Sequence, residues 1–133
     1  MVPNTNNLLL TDLSIVQQPS VNYKMNFVEN IIGKVDMLEA MKQVIFKILN
    51  TERYQYIIYS WNYGVELLDL IGEPVSYVLP EIERRITEAL IQDDRIESVS
   101  DFEFDTSKKK EVVCSFVVHT IFGDVSTEKV VSY

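Results

Sequence analysis

The chain has 133 residues, 47% of them hydrophobic, which is enough for one core of ordinary size and hardly for two. Its formal net charge of -8 repels a phosphate backbone, so nucleic acid is not an expected partner. The longest apolar run falls far short of the roughly 20 residues of a membrane span, and the start lacks the basic end and apolar core of a secretory signal, so no membrane partner is expected and the protein should be soluble and intracellular when made.

Residues 1–20 contain Pro3, a run of Asn, the apolar patch Leu8, Leu9 and Leu10, and Pro19, without a sustained period. Such a segment cannot bury enough surface alone, so it is expected to be an arm that docks through Leu8, Leu9 and Leu10. Residues 21–133 are expected to form a single α+β domain.

From Val21 the apolar residues Val21, Tyr23, Met25 and Phe27 alternate with Asn22, Lys24 and Asn26, the period of a half-buried strand. Glu29 and Asn30 can turn the chain, and Ile31, Ile32 and Val35 then form a short returning strand. Asp36 followed by Glu39 is a capping-box variant, which starts a helix over 37–50. Its apolar face is Leu38, Met41, Ile45, Ile48 and Leu49.

Residues 54–61 are rich in aromatic and β-branched types and predict a strand ending at Gly64. Residues 65–71 give about two helical turns, which Gly72 and Pro74 stop. Ser76 is the expected cap of a second helix reaching about Gln92, with Pro80 in or near its first turn and a stripe of Val78, Ile82, Ile86, Ala89 and Leu90. Three strands, 96–104, 111–120 and 125–132, follow as a meander, with turns at Lys108 to Lys110 and at Gly123 and Asp124. Phe102 and Phe104 alternate with Asp101, Glu103 and Asp105, which gives the first of these strands one buried and one acidic face. The last strand carries no blocking proline, so its edge is open to another chain through Val125, Thr127, Lys129, Val130 and Val131.

Chemistry is sparse. One Cys and one His cannot assemble a zinc cluster, Cys114 reads as a small buried residue, and His119 reads as a strand-end polar residue with no carboxylate beside it. The glycines are scattered singly, so no phosphate-cradling loop is present, and no cofactor is expected. Two carboxylates in one cleft would permit glycoside hydrolysis, but Glu81, Glu83 and Glu88 fall on a solvated helix face, Asp93 and Asp94 read as a helix-ending loop, and Glu52, the one carboxylate among aromatics, has Arg53 beside it to favour its ionised form.

The segment 51–64, TERYQYIIYSWNYG, joins Glu52 and Arg53 at a helix exit to five aromatics, of which Tyr54, Trp61 and Tyr63 are candidate interface anchors. With Gly33-Lys34-Val35, Thr51-Glu52-Arg53, the run from Tyr59 through Ser60, Trp61, Asn62 and Tyr63 to Gly64, and Glu88-Ala89-Leu90, the chain resembles the baseplate-wedge and sheath-initiator family of contractile phage tails, in its branch from PBSX-type Gram-positive prophages. The likeness runs over residues 22–104.

The resemblance implies an α+β fold with an N-terminal hairpin, two main amphipathic helices and a C-terminal antiparallel meander, and a structural rather than enzymatic role. It implies six copies around the axis of a phage or tailocin tail, with baseplate wedge proteins, tail sheath protein and tube or hub proteins as neighbours. Assembly in the host cytoplasm and then residence in the baseplate follow from it. In the family an acidic-arginine motif after the first helix contacts wedge proteins, and Glu52 and Arg53 hold that place, without the proline that usually separates them. The terminal sheet is implied to accept sheath strands. Some members carry a tail-lysozyme label, so a peptidoglycan-cleaving enzyme is one alternative and a stand-alone strand-pairing module is another.

Overall fold

The computed structural model describes residues 20–26 and 33–133, so the arm and its docking residues Leu8, Leu9 and Leu10 lie outside the described residues, as do Phe27, the turn at 29–30, and Ile31 and Ile32 of the returning strand. The fold is α+β. Strands β1 (Asn22–Tyr23) and β2 (Lys34–Val35) pair antiparallel as the foot of the expected hairpin. The strand is shorter than its alternation predicts, and Tyr23 is exposed rather than half-buried. A side chain holds the foot in place: Gln43 donates to the Tyr23 carbonyl and accepts from the Met25 N–H, as a neighbouring strand would.

Helix α1 (Met37–Leu49) starts at Asp36, whose carboxylate accepts from the Met37 N–H at 2.7 Å. Glu39 does not close the capping box; it pairs with Lys42 instead. Helix α2 (Val75–Ile91) starts one residue before the expected cap, with Pro74 in the cap position. Pro80 therefore lies inside the helix rather than in its first turn, and it is exposed, where its missing donor is least costly. The stripe Val78, Ile82, Ile86, Ala89 and Leu90 is buried as its spacing predicts.

Strands β3 (Ile96–Asp105), β4 (Glu111–Thr120) and β5 (Gly123–Ser132) form the meander, in the order β3-β4-β5. Gly123 opens β5 rather than the turn, which is made by Ile121 and Phe122. One face of the sheet, with Val112, Cys114, Phe116, Val118, Val125 and Val131, packs on both helices as a single core. Phe102 stacks on Phe116 at 5.2 Å, while Asp101, Glu103 and Asp105 stay exposed, as the alternation predicts. Cys114 is fully buried, and loss of water pushes its thiol up to about 12, so it is an inert packing residue.

Two expected elements differ. Residues 54–61 are a succession of turns, not a strand, and 65–71 contains only a 3-10 turn at Leu68–Leu70. The aromatics that favour an extended chain find no partner strand there, and strand propensity expresses itself only in a pleated, half-buried setting.

Candidate functional site

The stretch after α1 is built around a single bridge between Glu52 and Val65. Val65 N–H donates to the Thr51 carbonyl at 3.0 Å, and Arg53 N–H donates to the Val65 carbonyl at 3.2 Å. Between these points the chain leaves as a loop, 54–64, and returns at Gly64. Gly64 has φ +91, and a Cβ there would sit 2.5 Å from the Thr51 carbonyl oxygen, so the closure needs glycine.

Extended backbone at the bridge turns Glu52 and Arg53 to opposite sides. The Glu52 carboxylate accepts from the Leu67 N–H at 3.1 and 3.2 Å and from the Leu68 N–H at 3.2 Å, capping the 3-10 turn. Arg53 is nearly buried, its side chain 9% exposed. It donates to the Gly64 carbonyl, and Nη1 reaches Glu88 at 3.1 Å and Glu66 at 3.5 Å. Arg85 extends this network, pairing with Asp69 and Glu81 and donating to the Glu66 carbonyl. Glu81, held by Arg84 and Arg85, is lowered to about 2. The motif thus staples the loop and the following segment to α2.

What the staple presents is the loop itself. Ile57 is fully exposed and Ile58 86% exposed, with Trp61 at 77% and Tyr54 at 68%. Tyr63 stays half-buried and stacks on Tyr59 at 4.7 Å, and Asn62 bonds Gln92, which fixes the foot of the loop. Tyr54 sits at φ 66, a strained setting for a bulky residue that persists only where its surroundings impose it. Large apolar side chains thus stand in solvent above a fixed base. Ile57 and Ile58 were not singled out in the sequence, because isoleucine in a strand-like run reads as core.

The sheet offers a second surface. Strand β3 pairs with β4 through two register shifts, between Ile96 and Ser98 and between Ser100 and Glu103. Such bulges blunt an edge. Strand β5 pairs with β4 at every position from Gly123 to Ser132 without a shift, and among the described residues no strand pairs with its other edge. Val125, Thr127, Lys129 and Val131 turn toward the helices and Val130 outward, so the five predicted edge residues fall on both faces. A groove of about 390 Å³ runs beside this edge, between Lys129 to Ser132 and the floor formed by Leu49, Leu67, Leu68 and Ile71.

His119 corrects the sequence reading. Its Nδ1 lies 2.7 Å from Asp124 Oδ1, and its Nε2 lies 2.7 Å from Ser100 Oγ, so a carboxylate does stand beside it. Serine, histidine and aspartate in this order resemble a nucleophile relay. The group lies on the sheet face away from the helices, with Asp124 67% exposed, and Asp101 accepts from the same serine hydroxyl at 3.0 Å. An oxyanion formed there would face a carboxylate instead of donors. The chain of bonds is a clasp across β3, β4 and β5. Antiparallel pairing brings His119 opposite Asp124 because the turn is made by Ile121 and Phe122, whereas a turn at Gly123 and Asp124 would put Asp124 in the turn itself.

Glu66 and Glu88 share a cleft of about 260 Å³, but Arg53 stands between them where a sugar and its water would have to sit. Among the described residues no cluster of His, Cys, Asp and Glu could hold a metal ion. No described helix is long and apolar enough to cross a membrane.

Comparison with known proteins gives the family. The family model for the contractile injection system sheath initiator matches residues 20–123. The phage-like element PBSX protein XkdS of Bacillus subtilis (strain 168) is 41% identical over 123 residues, covering 89% of this chain and 86% of that protein. Among solved structures, a Geobacter sulfurreducens protein provisionally named a tail lysozyme superposes with a TM-score of 0.56 at 17% identity, covering 70% of this chain and 90% of that one. That likeness is one of fold. The family match ends where β5 begins.

Proposed function

The chain belongs to the contractile injection system sheath initiator family and is a structural component of a contractile tail, and from that premise we propose how its two surfaces divide the work. The loop 54–61 with the Arg53 network docks on baseplate wedge proteins, and the open edge of β5 accepts a strand of the tail sheath protein. Six copies around the tail axis, in the inner baseplate beside the tube or hub proteins, present six such edges to the first sheath ring.

The observation that carries this reading is the uninterrupted edge of β5. Natural sheets protect long, flat edges unless a partner uses them, and here β3 is bulged while β5 is left straight. Main-chain pairing on such an edge supplies affinity, and side chains at alternate positions set the register. The loop supplies the other half: large apolar residues on a stapled base resemble the anchors that dominate binding energy at interfaces.

The test replaces Ile57 and Ile58 with serine in one variant and Val130 with proline in another, then follows incorporation into baseplates and sheath growth on them. Loss of incorporation in the first, and intact baseplates without sheath in the second, are the expected results. A loop variant that incorporates normally removes the wedge assignment.

A further inference from the structure

The groove beside β5 contains a cation that strand pairing alone leaves unexplained. Lys129 points to the packed face of an edge strand, is half-buried, and donates to the neutral Asn50 Oδ1 at 2.9 Å. Among the described residues it forms no ion pair. Arg53, Arg85 and Arg95, similarly withdrawn from water, are each matched by at least one carboxylate. Loss of water pushes the Lys129 ammonium down from its ordinary range, against the opposing pull of Glu52. Glu52 is already engaged by the Leu67 and Leu68 N–H groups.

We propose that Lys129 selects the segment that adds to β5, by pairing with an Asp or Glu on an extended partner strand that also carries a large apolar side chain two residues from that acid. The inference rests on β5 being a strand-pairing edge. Lys129 and Val131 are two apart on one face, so alternate side chains of an added strand face both. The first meets the ammonium, and the next lies over the groove floor of Leu49, Leu67, Leu68 and Ile71. Desolvated opposite charges recognise each other more sharply than exposed ones, and an unmatched buried charge penalises wrong partners. The same lysine opposes the pairing of two copies through β5, since each would bring an inward ammonium to the junction.

Overlapping peptides tiling the sheath protein of the same particle, probed with the full-length chain, test this directly. Peptides that bind should contain Asp or Glu two residues from Leu, Ile, Met or Phe. Changing that acid to its amide should weaken binding about tenfold, and Lys129→Met should lower the acidic peptide to the level of its amide and erase the difference between them. Val130→Pro should abolish binding of both, because the turn at Ile121 and Phe122 closes on Thr120 and Gly123 and sets Val130's backbone outward. If Val130→Pro abolishes binding but the amide peptide and Lys129→Met do not weaken it, the edge stands and the role of Lys129 is overturned. If no peptide binds, or Val130→Pro leaves binding intact, the edge reading itself fails.

Discussion

At the scale of single residues, Glu52 and Arg53 show how a motif can be legible while its role is not. The sequence marks the pair as adjacent opposite charges at a helix exit, but one bridge turns them to opposite sides, and each bonds chain far off in sequence. Glu52→Ala should therefore destabilise the fold by about 1–2 kcal/mol, the scale of a lost carboxylate cap, read as a shift in the urea midpoint. An unchanged midpoint would mean that the carboxylate contributes nothing to the 3-10 turn. Gly64→Ala should cost more, because its Cβ meets backbone that cannot yield. Asp93 sets a pH limit. Desolvation raises its pKa, but bonds from the Arg95 side chain and backbone outweigh that and leave it lowered. Its stabilising contribution is then full above the ordinary carboxylate range near 3.8 and is lost as pH falls below it. Asp93→Asn should flatten the acid limb of a stability–pH curve, and an unaltered limb would remove Asp93 from the account.

The helices and the three long strands were readable in the elements because their patterns are periodic and agree with their burial. The stripe of α2 is buried at every predicted position, and β3 keeps its acidic outer face. The loop 54–61 departs from its strand-like composition because composition speaks of propensity, whereas a strand needs a neighbour to pair with. The same strand-like composition makes Ile57 and Ile58 read as core, although they are the most exposed large apolar residues among the described residues. Replacing both with serine should leave the melting temperature within about 2 °C, since neither touches the core, while incorporation into baseplates falls at least tenfold. A large drop in melting temperature would show that the loop belongs to the fold, and normal incorporation would show that another surface docks.

At the scale of the whole molecule, one helix-covered sheet is bounded by two unlike edges, and that asymmetry was only half visible beforehand. The absence of proline from the last strand was legible; the two bulges that disable β3 were not, because register is settled by pairing and not by composition. The fold also decides how the edge must be tested. Cutting the chain after Gly123 would remove Val125 and Val131 from the core and confuse unfolding with lost function. A single proline at the exposed Val130 keeps that core. The most direct measurement is sheath polymerisation on purified baseplates carrying Val130→Pro, with circular dichroism to verify the fold. Complete baseplates on which sheath does not nucleate are the expected result; sheath growing at the normal rate on them would mean that the β5 edge does not seed it.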